Sequence, residues 1–528
     1  MPPVYTLLAD LDGDTVCETD LSADVRSATW TRGRDNEFGT VQPGELTITL
    51  RSGDGKYHIG HANQIAGWQV GRRIQMTVAV NGMTYGVMFG RIGGIRPFQR
   101  GPGTKDGCEV VVHDNLAVLS AKTISTEVET GIPYSHPTQT SAVGMICDAA
   151  GVGNRKLYST ADILPYVWFE SQGALDALSE VQAAERGLFY INGWDQLVYQ
   201  DRYYRFRELR ATNPTLSISA VSNISNAAVE DDIYTEVRVQ SFPRTAQPLG
   251  VIWSTTDPII LDPLQTIPVV ANFNIPAINV LAPVAGTDYY AVNPATGADA
   301  TGDIRIVVTN YAASAKIVLT NTASSARGVG LLQLRGQVIA DINPGQTTAV
   351  VSSPLVYGLG YWQLSASTPD ANGYHLAVTS NSKTTKLAGN GDTAYTPRTM
   401  DLSPRLLSSL SDAESLARYI LNRQGIQNPR VELTIQISDD TTLATFLAMD
   451  LSDRLTLNLS DLGISGDYWI EHIKQDFHSF NAPHETTLQL TSAGSSSYWQ
   501  LASDPNDTTW VWRLSVAAGG HQNATLAY

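Results

Sequence analysis

The sequence is short of charge. Only 16% of its 528 residues are Asp, Glu, Lys or Arg, against about a quarter in an ordinary soluble domain. The charge present is unbalanced, 51 acids against 35 bases, for a net of -16. That argues against a general nucleic-acid binder, which carries a basic stripe. It leaves room for an acidic channel wall along which DNA slides without arrest, because like charges repel. Cysteine is scarce too. Cys17, Cys108 and Cys147 are odd in number, far apart and without C-x-x-C spacing. No disulfide framework or thiolate metal site is expected, only buried free thiols in a chain folded in a reducing cytoplasm. No run of about 18 apolar residues occurs, so no membrane-spanning helix is expected. The N-terminus, M-P-P-V-Y-T-L-L-A-D-L-D-G-D, has no basic start before an apolar core, so no secretory signal is expected.

Catalytic signatures are also missing: no G-x-S-x-G, no H-E-x-x-H and no G-x-x-x-x-G-K-[ST]. His58 and His61 lie in a loop-like stretch with no third metal ligand indicated nearby. Asp10-Leu11-Asp12-Gly13-Asp14 resembles the start of a calcium loop, but Leu21 stands where an EF-hand needs its bidentate Glu. A turn is the better reading. Glu230-Asp231-Asp232 and Asp439-Asp440 offer paired carboxylates, yet nothing in the sequence brings them together for glycoside chemistry. The chain is expected not to be an enzyme and to hold no metal or cofactor.

What is present is β-strand. Leu46 to Leu50 alternates apolar and polar, then Ser52-Gly53-Asp54-Gly55 turns the chain. Arg73 to Val80 alternates again and ends at Asn81-Gly82, a two-residue hairpin signal. Tyr85 to Arg91 and Cys108 to His113 follow, so the first 125 or so residues suggest a small barrel. Residues 138–205 read as an α+β module. Thr140 or Ser141 caps one helix, Ser171 a second, and a hairpin turns at Asn192 to Gln196. Glu236 to Gln240 alternates. Residues 246–395 read as an inserted all-β sandwich with strands at Asp303 to Val308, Ala315 to Leu319 and Gly330 to Leu334. Ser411 and Glu414 suggest a capping box on a helix that ends at Gly425. Strands resume at Val431 to Ile437, Arg454 to Leu459, Tyr468 to Ile473 and Thr487 to Leu490.

Arg32, Arg34, Arg51 and Lys56 form a local basic cluster that Asp35, Glu37, Glu45 and Asp54 nearly cancel. Mixed signs suit ion pairing across strands or subunits better than a phosphate site. Trp499, Trp510 and Trp512 could stack on sugars or bases, but anchoring an irregular tail against a neighbour is the better reading.

In order along the chain, these elements resemble the minor tail proteins of long-tailed bacteriophages. The resemblance rests on Arg32-Gly33-Arg34 with Glu37, Gly44, Thr47 to Leu50 and Asp54-Gly55-Lys56-Tyr57. Gly71-Arg72-Arg73-Ile74 follows, with Val70 in place of the usual Pro, and then Met88-Phe89-Gly90-Arg91-Ile92, with its Gly one place early. Further on come Ala174 to Gly187, Asn192-Gly193 with Asp201-Arg202, Leu332 to Gly336, Asp412 to Arg423, Tyr468-Trp469-Ile470-Glu471-His472-Ile473 and Trp499-Gln500-Leu501. The resemblance covers most of the chain and implies a virion protein of the tail tip or baseplate, similar to the hub of contractile tails. The fold it implies is mainly β. Residues 1–130 would form a first tube-like β-barrel, 131–212 the α+β module, 213–245 with 396–495 a second tube-like β-barrel, 246–395 the inserted sandwich and 496–528 a C-terminal docking tail. Such a hub would be a homotrimer. It would adapt the six-fold tail tube, through distal tail or tail-tube proteins, to a three-fold spike, fibre or tip, with tape-measure protein and DNA passing through its channel. Arg32, Arg34, Glu37, Trp499, Trp510 and Trp512 are the candidate subunit-interface residues. Other readings are a carbohydrate-binding or depolymerising tail-tip protein, seated in the insert and the Trp-rich tail, and a distal-tail or fibre subunit.

Overall fold

The computed structural model describes residues 3–98, 107–227, 233–255, 257–341, 347–352, 375–380, 398–424, 430–477 and 484–493. The chain is mainly β. Its largest sheet has 13 strands. The N-terminal part contributes β1 (Val4–Ala9), β2 (Thr19–Asp20), β3 (Val25–Gly33), β4 (Gln42–Arg51), β5 (Arg73–Val80), β6 (Met83–Phe98) and β7 (Gly107–His113), in the spatial order β3-β4-β7-β6-β5-β1-β2. Alternation decides which face is core. β4 buries Leu46, Ile48 and Leu50 and turns Glu45, Thr47 and Thr49 outward. β5 spans the residues its alternation predicts, and Val80 pairs with Met83 across Asn81 and Gly82. Both turn residues have positive φ, +51° and +77°, as a type I′ hairpin turn requires.

The C-terminal part adds Asn223–Ala227, Arg430–Ile437, His484–Ser492 and Ile464–Phe477 in that order, with Arg454–Leu459 also on the last of these. The two parts meet where β3 pairs antiparallel with Ile464–Phe477, from Ala28 opposite Phe477 to Gly33 opposite His472. Two separate barrels were expected. Among the described residues the strands instead form this one continuous sheet, and none of the sheets closes. An exposed strand edge is a template for pairing, and here each part supplies the edge the other covers.

The strand Glu236–Ser241 stands outside the large sheet. It lies in a four-stranded sheet, parallel to Thr399–Leu402 and antiparallel to Thr347–Ser352. Val237 and Val239 are fully buried there, and the helix Leu410–Gln424 packs against the strand.

The α+β module holds α1 (Asn115–Ser120), α2 (Ala142–Ala150), α3 (Ala174–Glu185), the hairpin Leu188–Ile191 with Leu197–Gln200, and α4 (Tyr204–Arg207). Ser141 caps α2, its Oγ accepting from the Gly144 N–H at 3.2 Å, and Gly151 ends the helix at φ +73°. Ser171 does not cap α3. Gly173 holds that position, and Ser171 sits at φ +50°. The expected Ser411–Glu414 box is not formed either. The Asp412 N–H reaches Ser409 Oγ at 3.4 Å, and Glu414 pairs with Arg418 one turn on at 2.8 Å.

Within the insert, the long strand Arg327–Asp341 pairs along its length with Arg244–Ala246, Gly250–Thr255, Ala277–Leu281, Tyr289–Val292 and Ile259–Leu261. A second sheet holds Thr266–Asn272, Ser314–Asn321 and Ile304–Asn310. The insert has a hydrophobic core of its own, including Phe273, Ile317, Leu319, Leu332 and Leu334.

Candidate functional site

The seam between the two parts of the large sheet carries five buried charged side chains, Arg34, Glu37, Arg205, Arg423 and Glu471. Its geometry begins with two irregularities. The ladder between β3 and β4 shifts register between Thr31 and Gly33. The ladder between Ile464–Phe477 and His484–Ser492 shifts between Ile470 and His472, which leaves Glu471 as the extra residue of a β-bulge. A bulge re-aims the side chain it carries. Glu471 is thereby buried beside the buried Ile470 rather than alternating outward. Gly33 is needed at the same place. Its φ is +125°, and a Cβ there would lie 2.2 Å from the Glu471 carbonyl oxygen. The next residue, Arg34, donates its backbone N–H to that carbonyl at 3.0 Å.

Two arginines from different parts of the chain converge on Glu471. Arg34 Nε donates to Glu471 Oε2 at 2.9 Å. Arg205 of α4 grips the same carboxylate with two donors, at 2.5 and 2.9 Å, and gives its Nε to Ser452 Oγ at 3.1 Å. In the loop after β3, Glu37 lies 3.9 Å from Arg205. Arg423, in the last turn of the Leu410–Gln424 helix, holds Glu37 at 2.9 Å and donates to the Ser492 carbonyl at 2.9 Å. Trp469 lies against both cations, its ring centre 5.1 Å from Arg205 and 4.9 Å from Arg423, and its indole N–H donates to the Ala211 carbonyl at 2.8 Å. Three guanidiniums thus share two carboxylates, and the ring face helps to offset the surplus positive charge. Arg34, Glu37 and Glu471 are 4%, 7% and 1% exposed.

Burial alone would raise the Glu471 carboxyl, but Arg205 and Arg34 outweigh it and hold the group at about 2. Burial works against the charge of Arg205 and of Arg423, and the facing glutamates more than restore it. Every charge here is committed to a partner inside the chain. The arrangement is a clamp joining the N-terminal strands, the α+β module, the C-terminal strands and the Leu410–Gln424 helix.

The pairing expected across strands or subunits is made, for Arg34 and Glu37, within the chain. Arg32 is half-buried and also turns inward, donating to the Met449 carbonyl at 3.2 Å and lying 3.5 Å from Asp450. Trp499, Trp510 and Trp512 lie outside the described residues, as do Glu230, Asp231 and Asp232. Asp439 is a helix cap, accepting from the Thr442 N–H at 2.8 Å. The rings of His58 and His61 sit edge to face, 6.1 Å apart. Among the described residues the grouping of three metal-type ligands is Asp10, Asp12 and Asp14, within 4.8 Å of one another. Asp10 spends its oxygens on the N–H groups of Gly13 and Thr15, so the stretch is a self-bonded turn. Cys108 and Cys147 are buried free thiols pushed up to about 11 by burial, and Cys17 is half-buried. No helix of the described residues is long and apolar enough to cross a membrane.

The roles of Arg205, Arg423 and Trp469 were not readable from the sequence. Arg34 and Glu471 are 437 positions apart, and no local pattern announces such a pair.

No family model matches this sequence, and no curated protein does. Among solved structures the chain is similar to the 43 kDa tail protein of prophage MuSo2 from Shewanella oneidensis, at 10% identity and a TM-score of 0.48, over 92% of this chain and 98% of that one. It is similar to a tail protein from Neisseria meningitidis MC58, at 9% identity and a TM-score of 0.45, over 93% and 97%. It is also similar to prophage tail protein gp18 from Listeria monocytogenes EGD-e, at 9% identity and a TM-score of 0.39, over 93% and 94%.

Proposed function

We propose that the chain is a structural hub of a phage tail tip or baseplate. In this reading three copies form a ring that ends a six-fold tail tube on one face and seats a three-fold spike, fibre or tip on the other. Its channel passes tape-measure protein and DNA, and its acidic balance keeps the DNA from sticking.

One observation carries the reading. Two of the stretches on which the tail-protein resemblance rests, Arg32 to Glu37 and Tyr468 to Ile473, lie far apart in sequence and meet in a single buried ion cluster. A chain that supplies two side-by-side units to a ring must hold those units in one rigid relation, and a seam of paired strands locked by that cluster does so. The low charge and the absence of catalytic motifs suit an assembly role as well. Native mass spectrometry of the purified chain tests the proposal. A stable trimer is expected, and a chain that stays monomeric or assembles as six copies overturns it.

A further inference from the structure

Arg73 on β5 and Arg91 on β6 stand directly opposite each other in the antiparallel ladder. Like charges so placed destabilise a sheet, and neutralising partners are the usual remedy. The neighbouring arginines have them: Arg72 lies 4.0 Å from Asp10, and Arg96 lies 3.1 Å from Glu109. Among the described residues, neither Arg73 nor Arg91 has a carboxylate oxygen within 4.0 Å. Arg73 reaches the Thr15 carbonyl at 3.4 Å and Arg91 the Gly71 carbonyl at 3.0 Å. Both line an open cleft of about 280 Å³, whose wall also includes Val16, Phe89, Asn115 and Asp195. Asp195 already accepts from Asn115 at 2.5 Å. Arg73 and Arg91 therefore share the cleft wall with one engaged carboxylate and with the apolar Val16 and Phe89.

We infer that this cleft is a binding site for a small carboxylate carried on an apolar body. The two arginines form charge-assisted hydrogen bonds to the carboxylate, and Val16 and Phe89 receive the apolar part. Among the lining side chains two arginines stand against one carboxylate, a balance that suits a monoanion. Asp195 in the wall repels a dianion, and the net charge of -16 disfavours a nucleic-acid backbone. The inference does not depend on a tail role.

Titration calorimetry of the whole chain with N-acetylphenylalanine tests it, with N-acetylphenylalaninamide and inorganic phosphate as comparisons. The acid is expected to bind with a roughly millimolar Kd and the amide at least tenfold more weakly. Arg73→Gln and Arg91→Gln should each weaken the acid at least tenfold, whereas Arg96→Gln should not. Because the unliganded pair is repulsive, both variants should melt no lower than the parent. Absence of binding, equal binding of acid and amide, or tighter binding of phosphate than of the acid overturns the inference. So does a lowered melting temperature in both variants, which would make the arginines structural.

Discussion

Replacing Glu471 by Gln keeps the shape of the side chain and removes one charge from the centre of the seam. Arg205 loses both of its ionic contacts to that carboxylate, at 2.5 and 2.9 Å, and Arg34 loses its own at 2.9 Å. Breaking a buried pair by removing one partner costs about 3–5 kcal/mol, because the charge left behind is unpaired. Linkage points the same way, because Arg205 and Arg34 hold the Glu471 carboxyl below its ordinary value in the folded chain. The sign follows from the depression. This stability is fully present above about pH 4.5 and is lost as the pH falls through 2. Urea unfolding at pH 7, followed by circular dichroism, should show Glu471→Gln destabilised by about 3–5 kcal/mol with little change in slope. The difference between parent and variant should shrink steadily as the pH drops from 4.5 toward 2. The triple change Arg34→Met, Arg205→Met and Glu471→Met should recover most of the loss, because an apolar replacement leaves no buried charge unpaired. A Glu471→Gln cost below about 1 kcal/mol, the level of an exposed pair, would refute the claim that this cluster locks the seam.

Three further outcomes are expected. Gly33→Ala places a Cβ 2.2 Å from the Glu471 carbonyl oxygen at φ +125°, so unfolding should show at least the 1–3 kcal/mol or so of a strained backbone. Ser141→Ala removes the acceptor for the Gly144 N–H and should cost about 1 kcal/mol, read as a lower urea midpoint. Asn81→Val puts a β-branched residue at φ +51°, which should cost roughly 1–2 kcal/mol and favour a misregistered hairpin, visible as faster amide exchange along β5 and β6.

Local signals were legible where physics is local. The alternation from Arg73 to Val80 and the Asn81-Gly82 turn were readable because strand period and left-handed turns depend on neighbours alone. The Ser141 cap was readable for the same reason. The Ser411–Glu414 pattern misled because Ser409, two residues earlier, competes for the same N–H groups. The helix Asp440–Ala448 has a weak signal because its Thr residues blur a helical pattern, and Asp439-Asp440 reads by itself as a pair of carboxylates. The seam was half legible. The sequence shows Arg34, Glu37 and Glu471 in tail-protein stretches, and mixed charge suggested pairing. That the partners lie in the same chain depends on β3 meeting Ile464–Phe477, a pairing that no periodicity encodes.

The central claim is that two strand systems, locked into one rigid unit, let a single chain serve as a tail hub. Imaging of intact tail tips at side-chain resolution tests it most directly. The account predicts three copies around the axis, each presenting both strand systems to the channel, with Glu471 held between Arg34 and Arg205 in every copy. Six copies around the axis, or a chain placed off the axis in a fibre, would contradict it.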